Sequence, residues 1–175
     1  LLPDVDAQRL APALLRHTGG NPMFALETLK DMVLSGVPAA ANRLPQPATV
    51  GALIERRLTQ LSPAALKLAR TAALASASFS AELAATVLEL HPLDLAEPWR
   101  ELEAAQFIRD GSFAHDLVFE ATRASVPAPI AQLLHRRIAR YLETHGAQPA
   151  SIAPHWAGAQ EWSLAGEAHA AAARQ

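Results

Sequence analysis

One dipeptide, Asp110-Gly111, carries the strongest strand signal in the chain, and nearly every other segment is spaced as helix. Asp-Gly favours a two-residue turn in which both central residues take positive φ. Phe107-Ile108-Arg109 and Ser112-Phe113-Ala114-His115 flank it, so a hairpin is predicted with Ile108 opposite Phe113 and Gln106 opposite His115. A lone hairpin has too little surface to build a core. The remainder of the 175 residues, half of them apolar, must therefore bury their side chains by helix packing. Abundant alanine and leucine suit that outcome, because these residues lose least on entering a helix.

The first helix is expected from Asp6 to His17, where Leu10, Leu14 and Leu15 recur at helical spacing. Thr18-Gly19-Gly20 stops it, and Asn21-Pro22 starts a second, with Asn as cap and Pro at the first helical position. That helix sets Leu26, Leu29 and Val33 on one side and Glu27, Lys30 and Asp31 on the other, and ends near Ser35-Gly36. Residues 37–48, with three prolines, read as a linker. Val50, Leu53, Ile54, Leu58 and Leu61 then mark a helix whose solvent face is Glu55, Arg56, Arg57 and Gln60.

Ser62-Pro63 and Ser80 cap the next two helices, and a further one runs from Leu95 to Gln106 with Pro98 in its first turn. Helices crowned by a single hairpin have the layout of a winged helix. Asp116 is expected to cap the helix that follows, which Pro127 and Pro129 break. An amphipathic helix over 130–143 turns Ile130, Leu133, Leu134, Ile138 and Leu142 inward and His135, Arg136, Arg137 and Arg140 outward, a basic cluster that reads as a solvated face rather than an anion site. Residues 152–159 and 164–174 read as two short helices, the last nearly all alanine. One helix pair cannot cover its own apolar face, so it reads as the first unit of a repeat array.

Several chemistries are excluded by composition. No cysteine is present, which removes disulfides, thiolate metal sites and cysteine nucleophiles. Seven scattered histidines without an HExxH pattern give no metal site, and no Ser–His–Asp or paired-carboxylate spacing marks a catalytic residue. The lysines are Lys30 and Lys67 alone, and neither follows a glycine, so no GxxxxGK[ST] phosphate loop exists. A net charge of −2 provides no general attraction to nucleic acid or an acidic membrane. No apolar run reaches the roughly 18 residues of a membrane helix. Opening on Leu1-Leu2-Pro3-Asp4, with neither initiator methionine nor signal region, the chain is expected to be a piece of a larger protein.

Gly20-Asn21-Pro22 between helices, then helices with a hairpin, then Ala114-His115-Asp116-Leu117-Val118 form an ordered series. That series resembles the STAND class of signalling ATPases, among them bacterial transcriptional regulators of the maltose-activator type. The run His115-Asp116-Leu117-Val118-Phe119-Glu120-Ala121, with Leu134-His135-Arg136-Arg137-Ile138-Ala139 after it, is similar to bacterial members as well. Gly20-Asn21-Pro22 matches the GxP motif, whose proline packs on adenine in that class. Ala114-His115-Asp116 matches the MHD motif, whose histidine reaches the ADP β-phosphate, with alanine in place of methionine.

The resemblance implies a fold that is mainly α: a helical lid (1–46), a winged-helix domain (47–115), and a helical linker opening a tetratricopeptide-like array (116–175). It implies nucleotide contacts from Gly20, Asn21, Pro22 and His115, with ADP or ATP bound only in the intact parent and no cofactor in this piece alone. The partners implied are an upstream P-loop domain of the same chain and an inducer or protein on the helical array. The location implied is cytoplasmic, and the linker 37–48 is the expected hinge. DNA binding is not expected, because residues 47–115 carry six Lys and Arg against eight Asp and Glu, with Asp94, Glu97, Glu101 and Glu103 before the hairpin. A helical adaptor that binds protein partners and never meets nucleotide is the competing expectation.

Overall fold

A computed structural model describes residues 7–18, 20–34 and 50–174. The linker and hinge expected at 37–48, Gly19, and the helix end near Ser35-Gly36 lie outside the described residues. The fold is mainly helical, with one two-stranded antiparallel hairpin among the described residues. The chain divides into two compact units, Leu1–Gln60 and Leu61–Gln175.

In the first unit lie α1 (Ala7–Thr18), α2 (Pro22–Leu34) and α3 (Val50–Gln60). The boundary after Gln60 places α3 with α1 and α2, whereas the sequence reading groups residues 47–60 with the domain that follows. Asn21 caps α2 as expected, its Oδ1 accepting from the Phe24 N–H at 3.1 Å. The face that α2 buries is the reverse of the expected one. Glu27, Thr28, Asp31 and Met32 are fully buried, while Leu26 and Val33 are 48% and 51% exposed. Arg57, assigned to a solvent face by its spacing, is buried with Leu53, Ile54 and Leu58 on α3 and pairs with Glu27. Hydrophobic spacing misplaces these residues because the partner charge sits on another helix. Each alone reads as surface; together they form a buried ion pair.

The second unit begins with α4 (Pro63–Ala75), a 3-10 turn at Ser76–Ser78, and α5 (Ala81–Leu88). Ser62 caps α4 by accepting from the Ala65 N–H, and its own N–H and Oγ donate to Glu101 at 2.7 and 2.6 Å. A second 3-10 turn, Pro92–Leu95, leads into α6 (Ala96–Ala104), with Pro98 in its first turn where the missing N–H is harmless. Strands β1 (Ile108–Arg109) and β2 (Ser112–Phe113) pair Ile108 with Phe113, as the turn requires. Asp110 and Gly111 both take positive φ, 51° and 78°. The expected pairing of Gln106 with His115 does not form. Pairing ends where the Ala114 N–H donates to the Phe107 carbonyl, because Gln106 is left-handed and closes α6.

Next come α7 (Asp116–Ala124), α8 (Ala128–Thr144), α9 (Pro149–Gly158) and α10 (Trp162–Ala172). Leu74, Leu83, Val87, Val126, Ile138 and Trp156 are central to this unit's core. Two arginines seal helix ends: Arg70 donates to the Ser125 carbonyl after α7, and Arg137 to the Val87 carbonyl near the end of α5. Ile130 and Leu133, expected inward, are nearly half exposed, whereas Ile138 and Leu142 are buried. Periodicity identifies the apolar face of a helix but not how far along its length that face is covered.

Candidate functional site

Gly20, Asn21 and Pro22 form the joint between α1 and α2, and all three are exposed. The Thr18 hydroxyl donates back to the Leu14 carbonyl at 2.8 Å, and the Asn21 N–H donates to the Thr18 carbonyl at 3.1 Å. Gly20 takes φ +80°, a conformation that closes α1 and in which a side chain would be strained. Pro22, already fixed near helical φ, opens α2 with its ring toward solvent.

His115 lies in the second unit, exposed at the start of α7. The structure corrects one assignment here. His115, not Asp116, is the cap of α7: its Nδ1 accepts from the Leu117 N–H at 3.2 Å, and Asp116 is the first helical residue. A capping Nδ1 has a chemical consequence. In the neutral ring the proton must then sit on Nε2, which leaves that nitrogen as a donor facing away from the helix. Beside it a cleft of about 370 Å³ is lined by Phe79, Ile108, Phe113, Asp116 and Phe119, with Phe113 and Phe119 edge to face at 5.6 Å. The two segments expected to share a ligand thus belong to separate compact units.

A second constellation was not anticipated from the sequence. His135 on α8 and His155 on α9 bring their Nδ1 atoms to 3.0 Å, with one ring donating to the other. His155 is only 6% exposed. Burial, with His135 and Arg123 adding positive charge nearby, pushes its imidazole down to about 4. Burial and Arg123 also push His135 below the ordinary histidine range. Gly158 makes the arrangement possible, since a Cβ there would lie 2.6 Å from the His135 ring. The basic run on α8 is correspondingly not a uniform solvated face. Arg136 pairs with Glu161 at 2.8 Å, Arg137 pairs with Glu89 at 2.9 Å, and Arg140 alone of the four is exposed. The available sequence signal was the 20-residue separation of two histidines on neighbouring helices, which means nothing until the helices are paired.

Among the described residues no group of three or more His, Asp or Glu comes together as a metal would require. None of the described helices is long and apolar enough to cross a membrane. Comparison with family models, with curated proteins and with solved structures gives no match to this chain.

Proposed function

We propose that this chain is the regulatory portion of a nucleotide-controlled signalling ATPase of the STAND class, cytoplasmic and without catalytic residues of its own. Residues 1–46 act as the end of a helical lid, 47–115 as a winged helix that does not bind DNA, and 116–175 as the opening of a helical sensor array. Pro22, presented by Gly20 and Asn21, packs on the adenine of ADP, and His115 donates to its β-phosphate. The nucleotide itself is held by a P-loop domain upstream. ADP then stabilises a closed parent, and an inducer on the array favours opening and exchange for ATP. Such coupling needs one two-state element that both ligands bias.

The observation that best supports this reading is the state of His115. Its ring is exposed, Nδ1 is committed to the Leu117 N–H, and Nε2 is left as a donor. That is the tautomer a phosphate oxygen accepts from. The intact parent provides the test. His115→Ser keeps a good helix cap but cannot reach a ligand. Loss of one hydrogen bond to a charged group, worth about 1.5–3 kcal/mol, weakens ADP roughly 10- to 150-fold. ADP release and output without inducer should rise together. Unchanged ADP affinity in this variant refutes the switch and leaves a helical adaptor as the better account.

A further inference from the structure

We infer that the second unit carries a binding site for a small organic oxyanion, a phosphate- or carboxylate-bearing molecule, in the cavity that His135 and His155 line. The cavity holds about 510 Å³ and is bounded on one side by Ala73 to Ser78, and on the other by Arg123, His135, Ser151, Pro154, His155 and Gly158. It has no bearing on how His115 is used.

Three observations converge on an anion. First, the charge balance of the lining is one-sided: Arg123 and two histidines face the space, and no described Asp or Glu does. Secondly, the Arg123 guanidinium makes no ion pair and no hydrogen bond among the described residues, its backbone carbonyl accepting from the Val126 N–H, although Arg136 and Arg137 on the next helix each find a carboxylate. An exposed guanidinium at the lip of a cavity offers a planar fork of donors matched to carboxylate or phosphate. Thirdly, His155 is nine-tenths buried, yet only its Nδ1 is bonded among the described residues. Gly158 keeps the His135 ring pressed against α9, so the pair is built into the packing.

The same lining fixes the orientation of the ligand. The carbonyl end of α4 faces the cavity and repels negative charge. An anionic head therefore belongs between Arg123 and the histidines, and an apolar body belongs against Ala73, Leu74, Ala77 and Pro154. In the free protein burial, with Arg123 adding to it, disfavours a proton on either ring. An anion there reverses the sign of the local field and favours that proton. Arg123 from α7 is the arginine acting on the pair; besides His155 itself α9 contributes Ser151, Pro154 and Gly158 to the lining, and α4 with the 3-10 turn contributes only alanine, leucine and serine.

Phenyl phosphate and benzoate are suitable probes, with inorganic phosphate as the head-only control. Titrating each into the 15N-labelled 175-residue chain while observing the histidine ring nitrogens should give saturable shifts at His135 and His155 with at least one aromatic probe. Binding tighter than that of inorganic phosphate is expected, since the apolar wall contributes. Arg123→Gln, at an exposed position, should leave the rest of the spectrum unchanged and weaken the probe by about tenfold or more. Response to phenyl phosphate alone identifies a phosphate monoester as the ligand class, and response to benzoate alone a carboxylate. No saturable shift at millimolar probe, or equal affinity in Arg123→Gln, overturns the assignment.

Discussion

Removing one member of the Glu27–Arg57 pair should destabilise the first unit far more than removing both. The two side chains are fully buried and joined directly, and Lys30 adds a second contact to Glu27 at 2.9 Å from a position 17% exposed. Breaking a buried pair by deleting one partner costs about 3–5 kcal/mol, because the survivor stays in a low-dielectric interior. Glu27→Leu should fall in that range, since it leaves the guanidinium of Arg57 inside, where burial already pushes it down to about 10. Arg57→Met should cost less, about 2–3 kcal/mol, as Glu27 keeps Lys30. With both charges gone, desolvation vanishes as well, and replacing a buried pair by apolar side chains is often neutral or stabilising. The double variant should therefore be within about 1 kcal/mol of the parent chain, a coupling of several kcal/mol. All three tryptophans lie in the second unit, so their fluorescence does not follow this event. Amide exchange of α2 and α3 does, residue by residue. Additive effects, or a single-variant cost below about 1 kcal/mol, would refute the buried-pair reasoning.

Two further outcomes follow from the histidine pair. His155 takes up its proton near 6.5 when unfolded but near 4 when folded, so the unfolded state binds more protons between those values. Stability should be undiminished above about pH 6.5, fall as pH drops toward about 4, and fall much less in His155→Gln, as followed by urea midpoints across that window. Gly158→Ala should displace the His135 ring and cost about 1–3 kcal/mol of stability. Gains from helix propensity offset less than that, so a variant more stable than the parent chain would show that the ring is not clamped.

Much of the helix layout was legible because starts are chemically loud. Asn21, Ser62 and Ser80 cap helices where their residue types predict, and Asp110-Gly111 sets the hairpin register. Helix stops were quieter. The chain uses left-handed Glu89, Gln106 and Gln160 where glycine is the usual signal, and after each the next residue's N–H donates to the carbonyl five residues before it. A left-handed non-glycine costs about 1–2 kcal/mol, and what offsets it is tertiary: Leu102 and Phe107 at the end of α6 are both fully buried. Interior charge was illegible for a different reason. Glu27, Arg57 and His155 are buried, and His135 half-buried, against a partner on another helix, and no window along one helix contains that partner.

At the two segments singled out by resemblance, punctuation and ligand binding are not rival explanations. Asn21 and His115 are both helix caps, and each meets its capping duty with a single atom, Oδ1 in one and Nδ1 in the other. Each retains a second polar group directed away from the backbone it caps. In each case the helix behind it presents its positive end, where negative charge is favoured by about 0.3–1 kcal/mol. A cap satisfied on one side and donating on the other is therefore compatible with a solvated joint and with a nucleotide contact alike. This is why spacing and residue type could not separate the two readings, and why alanine is a poor probe at either position. Alanine removes the cap together with the donor, so helix fraying mimics ligand loss. Serine at 115 keeps an acceptor for the Leu117 N–H and withdraws the outward Nε2–H together with the rest of the ring. Any change in ADP affinity under that substitution then reports the ring beyond the cap rather than fraying of α7, because the helix start keeps its acceptor.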